Sequence, residues 1–445
     1  MAKSPRETAL TILERCRRDQ AFSDALLSSA VVSSQLSHQD SALCTRLCYG
    51  VLQNSLLCDF YIDSYAKGKS GKIEPKVRDI LRLSVYQILF LDKIPAHAAV
   101  SEGVELCKKC GFSRASGFVN AILRKIASEK DSLPKIPKTD YRKYLSIQYS
   151  TPYELTSHFC SVFGESFTEE LLRASNAPAP MTIQVNTLKT TAEELSASLT
   201  EKGVNCKPSA ILRDCFELSE TGDIAALSEH ASGMFYVQDA AARLAVLAAD
   251  PQPGAMVLDA CSAPGGKSFA AAIAMQNRGS ICSCDLHENK LKRIDEGASR
   301  LSIDIISTKV MDATSPDGAY FEAFDLVFAD VPCSGLGVIR KKPDIRFKSL
   351  ESFKALPETQ LSILNGLATC VKRGGVLLYS TCTILPAENQ ELIAKFLAEQ
   401  PDFFAEAFEL PAPIGAVRDG MLNLYPHIHN TDGFFICKLR KRNEN

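Results

Sequence analysis

The chain predicts a multidomain protein: an all-α N-terminal domain, a small α+β middle module, and a C-terminal α/β domain of the Rossmann-like, doubly wound type. Three observations point there. Its 445 residues, 46% of them hydrophobic, exceed what one core needs, since a domain typically takes about 100 to 200 residues. Apolar residues recur at three- and four-residue spacing up to about residue 130, the period of helices that bury one face. From residue 255 strand and helix patterns alternate, the order of a parallel sheet covered by helices.

Taken in order, helical spacing covers Arg6 to Cys16, Ala42 to Leu57, Val77 to Leu91 and Ala98 to Cys110, giving a helical domain over residues 1–130. Residues 131–140 mix Pro134 and Pro137 with Lys and Asp and carry no apolar stripe, the composition of a linker. Over residues 141–235 helical stretches mix with strand candidates such as Thr182 to Asn186, an α+β module. In residues 236–445 the strand candidates are Ala255 to Ala260, Ser280 to Asp285, Ile306 to Met311, Asp325 to Asp330 and Gly375 to Ser380, with a closing strand at Gly433 to Leu439. Helices are expected around Ser268 to Met275, Glu288 to Leu301 and Leu356 to Val371. The near-continuous apolar run Phe324 to Ala329 predicts a strand buried on both faces.

Composition narrows the setting. The sixteen cysteines show no framework spacing, which predicts reduced thiols in a cytoplasmic protein. No signal-peptide pattern and no apolar run of about 18 residues is present, so no membrane is expected. Residues 1–150 hold 23 Lys+Arg against 15 Asp+Glu, a net of +8, and the remainder 27 against 37, a net of −10. That asymmetry suits a polyanion docked by one module and processed by another. Cys107 and Cys110 form a single Cys-x-x-Cys inside a helical pattern, and the seven histidines make no ligand pattern, so no metal is expected. Cys282 and Cys284 alternate along a strand and should face one layer of core.

Chemistry concentrates in three places. Cys261, Ser262, Ala263, Pro264, Gly265, Gly266 and Lys267 follow the first strand of the α/β domain, where glycines admit a ligand to the backbone and a helix begins. Asp285 ends the second strand 20 positions after Gly265, the place of a ribose-binding carboxylate, and Asp312 after the third strand could reach an adenine edge. Together these read as an S-adenosylmethionine pocket. A phosphate-cradling ATPase loop would need glycine where Cys261 stands, and a dinucleotide fingerprint would need Gly-x-Gly-x-x-Gly, where only an adjacent glycine pair is present.

The second and third places hold thiols. Asp330, Val331, Pro332 and Cys333 leave the fourth strand, and Cys382, 49 positions after Cys333, leaves the fifth in the same layer. A ring carbon of a pyrimidine becomes nucleophilic when a thiolate adds to the neighbouring carbon, so paired thiols beside a methyl donor favour carbon methylation. Asp330 is the candidate to hydrogen-bond or protonate the N3 edge of cytosine. Residue chemistry alone does not rank the two cysteines. Arg340, Lys341 and Lys342, just after the Cys333 loop, are candidates for a phosphate contact.

These motifs, with Ser334, Gly335, Ser380, Thr381, Thr383, Ile384, Pro386, Glu388 and Asn389 around them, resemble those of the RNA cytosine-5 methyltransferases, in particular the Fmu/Sun/RsmB enzymes of bacterial small-subunit ribosomal RNA. The resemblance spans nearly the whole chain. It implies Cys382 as nucleophile, Cys333 as the residue that assists product release, and a cofactor site lined by Cys261 to Lys267, Asp285, Asp312 and Asp330. Val331 and Ser262 stand where many members have alanine. The N-terminal domain resembles NusB, a helical RNA-binding protein, with Ile94 to Val100 in the expected place, and the middle module resembles the RNA-recognition part of these enzymes. The implied substrate is small-subunit ribosomal RNA, the implied cofactor S-adenosylmethionine, and the expected state a monomer. Two other readings stay open: an RNA-binding assembly factor with a vestigial methyltransferase domain, and an enzyme acting on transfer RNA or a protein amide.

Overall fold

A computed structural model of the chain describes residues 4–19, 23–34, 36–66, 68 and 70–443. It divides into two compact units, Met1–Ala177 with Ile339–Leu350, and Pro178–Val338 with Glu351–Asn445.

The first unit is helical. Helices α1 (Pro5–Asp19), α2 (Ser23–Ser34), α3 (His38–Tyr65), α4 (Pro75–Phe90), α5 (Ala96–Lys109) and α6 (Ser116–Ser128) share one apolar core, and the predicted spacing falls in α1, α3, α4 and α5. Ser37 caps α3 by accepting from the Asp40 N–H, and α3 kinks at Asn54, whose side chain donates to the Gly50 carbonyl at 2.8 Å. Three further helices, α7 (Tyr141–Gln148), α8 (Tyr153–Phe163) and α9 (Glu165–Asn176), belong to the same unit. The Leu57 N–H donates to Ser150 Oγ at 3.1 Å, and the fully buried Arg346 donates to the Tyr149 carbonyl at 3.0 Å and Asn176 Oδ1 at 2.8 Å. Burial pulls that guanidinium down to about 10. Residues 131–140, expected as a linker, lie within the sequence span of this unit. Linker composition is read locally, whereas the contacts that join residues 141–177 to the earlier helices are long-range.

The second unit opens with a four-stranded sheet of order β2-β3-β1-β4, built from β1 (Met181–Val185), β2 (Asn205–Pro208), β3 (Cys215–Ser219) and β4 (Phe235–Val237). Helix α10 (Ala192–Glu201) starts at a capping box between Thr191 and Glu194, and a short helix α11 (Ser228–Ala231) precedes β4.

After α12 (Ala240–Ala249) comes the α/β domain: β5 (Met256–Asp259), α13 (Gly266–Ala274), β6 (Ser280–Asp285), α14 (Glu288–Leu301), β7 (Ile306–Val310), β8 (Phe324–Asp330), α15 (Leu356–Ala368), β9 (Val371–Thr381) and α16 (Gln390–Glu399). The pieces β10 (Phe403–Ala405), β11 (Phe408–Glu409), β12 (Ala416–Val417), β13 (Met421–Leu424), α17 (Pro426–His429) and β14 (Phe434–Lys441) complete it. The large sheet runs β10-β14-β9-β8-β5-β6-β7, with β13 also on β14. Neighbours from β9 to β7 are parallel, and β14 is antiparallel to β9.

Burial follows the strand period of two. In β8, Leu326 and Phe328 enter the core that holds α12 to α14, while Val327 and Ala329 enter the core under α15 and α16. Cys282 and Cys284 face one layer as expected, their sulfurs 3.6 Å apart. Strand order reverses at β5, so ligand space opens beyond the carboxyl ends of β5 and its neighbours. No helix among the described residues is long and apolar enough to cross a membrane, and among them no group of three His, Cys, Asp or Glu could hold a metal ion.

Candidate active site

The turn after β5 is built for close approach. The Ser262 N–H and hydroxyl both donate to the Cys284 carbonyl, at 2.8 and 2.9 Å, which ties the turn to β6. The Gly265 N–H donates to the Ser262 carbonyl at 2.6 Å. Gly265 has φ +107°, and a Cβ there would stand 2.5 Å from the Phe269 ring, so only glycine leaves bare backbone at the start of α13. Beneath the turn Asp259 is fully buried, accepting from the Ser268 hydroxyl at 2.6 Å, and burial pushes its carboxyl up to about 7. Cys261 is half-buried, and burial pushes its thiol up to about 12, so it is no ready nucleophile.

Acidic residues end the next two strands. Asp285, at the tip of β6, accepts from the His287 N–H at 3.0 Å and from Lys290 Nζ at 3.1 Å. Asp312, after β7, accepts from the Thr314 N–H and hydroxyl at 2.9 and 2.7 Å, and those bonds lower its pKa. With about 4.8 Å between strands, the glycine turn and the two carboxylates occupy the β5–β7 side of the edge. The thiols occupy the β8–β9 side.

There Asp330 pairs with Lys267 Nζ at 2.7 Å and accepts from the Ser380 hydroxyl at 2.6 Å. Lys267 comes from the first turn of α13 and lies over the Phe434 ring, 5.1 Å from its centre. The glycine turn and the Asp330 strand end are thus joined by one ion pair. Cys333 Sγ and Cys382 Sγ lie 3.1 Å apart, and all sixteen cysteines are free thiols. Contact with the Cys382 sulfur, then burial, holds the Cys333 thiol well above its ordinary value.

The loops that carry the sulfurs are joined through backbone. The Gly337 N–H donates to the Cys382 carbonyl at 3.0 Å, and the Gly433 N–H donates to the Gly337 carbonyl at 2.9 Å. Residue reading missed Gln360, whose amide donates to the Pro332 carbonyl and to Glu388, and the parts played by Ser334, Thr383 and Ser380. Their signal is a polar residue in an otherwise apolar stretch: Ser380 lies one residue before the end of a buried strand, and Gln360 is buried near Ile363 and Leu364.

Arg340, Lys341 and Lys342 lie in the segment that packs with the helical unit, where Arg340 Nε donates to the Ala177 carbonyl at 3.2 Å and Gln53 donates to the Arg340 carbonyl at 3.1 Å.

Comparison with known proteins gives three family matches: 16S rRNA methyltransferase RsmB/F over residues 246–440, the NusB family over 3–128, and an RsmF/B-like ferredoxin-like domain over 154–225. The chain is 39% identical to the probable ribosomal RNA small subunit methyltransferase B of Bacillus subtilis, covering 99% of both. It is 36% identical to the protein of the same name from Synechocystis, covering 98% of this chain and 99% of that one. Among solved structures, PH0851 covers 99% of this chain and 100% of its own at 27% identity and TM-score 0.80. A methyltransferase homolog from Pyrococcus horikoshii covers 68% and 99% at 28% identity and TM-score 0.59.

Proposed function

This chain belongs to the 16S rRNA methyltransferase RsmB/F family, and we propose that it methylates C5 of a cytidine in small-subunit ribosomal RNA through a covalent bond from Cys382 to C6. The observation that carries the proposal is the pair of sulfurs 3.1 Å apart at the ends of adjacent parallel strands, next to Asp330. The residues fit S-adenosylmethionine: bare backbone at Gly265 and Gly266, acceptors at Asp285 and Asp312 for ribose and adenine groups, and the turn Cys261 to Lys267 between them. When bound, that cofactor supplies an electrophilic methyl group to C5.

The remaining chemistry falls to the protein. The two thiols give up one proton to solvent and hold the other on Cys333, which leaves Cys382 as the thiolate that adds to C6. Asp330, held by Lys267 and Ser380, first takes a proton from solvent and then shares it with N3, drawing charge from the ring as the C–S bond forms. After the methyl arrives, the C5 proton passes to solvent, the C6–S bond breaks, and the Cys333 S–H stabilises the departing thiolate. The N3 proton returns to Asp330, so one proton is released per methyl transferred. An unpaired or flipped base is required to reach this edge. On this reading the enzyme works as a monomer in the cytoplasm, and Arg340, Lys341 and Lys342 contact phosphate.

The test incubates the chain and small-subunit ribosomal RNA with S-adenosylmethionine labelled in the methyl group, then digests the RNA to nucleosides. Label in 5-methylcytidine is expected, and label in any other nucleoside contradicts the proposal.

A further inference from the structure

The sulfurs ride on separate loops, and their 3.1 Å separation needs a support. Behind them lies Glu388, 1% exposed. Its Oε2 accepts from the Ser334 N–H at 2.9 Å and Gln360 Nε2 at 2.8 Å, and its Oε1 from the Ser334 hydroxyl at 2.5 Å. Among the described residues no cation pairs with it, although a buried carboxylate without one is costly to fold. That cost marks a residue kept for something other than stability.

The bonds run between the two loops. Ser334 has one hydroxyl proton, which an ionised carboxylate can only accept, so the Thr383 hydroxyl, 2.7 Å from Ser334 Oγ, is the donor in that contact. The chain Thr383, Ser334, Glu388 therefore links the residue after Cys382 to the residue after Cys333. Gln360 donates its other amide proton to the Pro332 carbonyl at 2.9 Å, just before Cys333. Next to Glu388, Asn389 accepts from the Thr381 hydroxyl at 2.7 Å and donates to the Thr383 carbonyl at 3.1 Å, on both sides of Cys382.

We propose that Glu388 is a positioning residue for the methyl transfer: its carboxylate clamps the Cys333 loop to the Cys382 loop, and its negative charge keeps the shared proton on Cys333. The proposal rests on the reading of the two thiols given above. After the Cys382 sulfur and burial, the charge of Glu388 is a further influence holding the Cys333 thiol up. The other titratable groups around this cluster are Asp330 with its partner Lys267, Tyr379, whose hydroxyl donates to the Glu388 carbonyl at 2.6 Å, and Cys437.

The experiment compares the full chain with Glu388→Gln, Glu388→Asp, Ser334→Ala and Cys382→Ala on small-subunit ribosomal RNA with S-adenosylmethionine, reading kcat, KM for RNA and the pH dependence of single-turnover methylation. Glu388→Gln is expected to lower kcat by about 100-fold, the scale of a misplaced reacting group, with KM unchanged and the alkaline limb moved to lower pH. Removing a negative charge makes the neighbouring thiol more acidic, which sets that direction. Glu388→Asp, which keeps the charge, should retain the native pH profile. Native kcat and profile in Glu388→Gln overturn the proposal. If that variant does not fold, Ser334→Ala decides, since a native kcat there removes the clamp. Cys382→Ala separates the two levels: full activity in it sinks the thiol reading, whereas an inactive Cys382→Ala beside a native Glu388→Gln sinks the positioning role alone.

Discussion

Asp259 shows what the glycine turn costs. Its carboxyl is buried under the glycines with the Ser268 hydroxyl on one oxygen, while the other oxygen has no hydrogen-bond partner among the described residues. Unfolded, this group ionises near 3.8, and burial raises it in the folded protein to about 7. The folded state therefore holds an extra proton between those values. Stability falls as pH rises from about 4 through 7 and levels off above, by roughly 4 kcal/mol for a shift of about three units. Asp259→Asn should lose less Tm than the native chain between about pH 5 and pH 8.5, and equal losses would remove Asp259 as the source. The same residue scale explains why Lys267, read as a cofactor residue, is found paired with Asp330. Sequence spacing placed both at the sheet edge, but a side-chain partner 63 positions away is decided by how α13 and β8 pack.

Between elements, the two cysteine loops are held by backbone contact that only glycine permits. A Cβ at Gly337 would stand 1.9 Å from the Gly433 carbonyl oxygen and 2.8 Å from that of Cys382. Gly337→Ala should push the loops apart, cost about 1 to 3 kcal/mol of stability as overpacked sites do, and lower methylation by about 100-fold. A denaturant titration and an initial-rate assay check it, and a native rate would contradict the account. The large sheet was legible because its central strands bury both faces: strand Ser280–Asp285 and helix Glu288–Leu301 fall where the pattern predicts, and β8 starts one residue early. Helix α2 was not singled out, since its apolar residues follow no clear three- or four-residue spacing. Helices α7 to α9, read with the middle module, also carry contacts that no local pattern shows, Ser150 with Leu57 and Tyr149 with Arg346, which lie 93 and nearly 200 positions apart in sequence.

For the whole molecule, charge is segregated along the chain, with +8 in residues 1–150 and −10 beyond. Such a distribution is what the proposed function would use, with a polyanion held by the basic part and the reaction carried out in the acidic one. The thiol motifs were legible as a pair because Asp330 and Ser380 share a register position on adjacent parallel strands, which brings whatever follows them together. Their ranking was not, because the proton distribution between two touching sulfurs depends on the burial and the charges that tertiary packing supplies. That ranking is the centre of the account. Its most direct measurement incubates Cys333→Ala with small-subunit ribosomal RNA and S-adenosylmethionine and resolves the products by denaturing electrophoresis. The account predicts a protein–RNA band that survives denaturant and vanishes when Cys382→Ala is added; no band under turnover conditions, or a band that persists in the double variant, would contradict it.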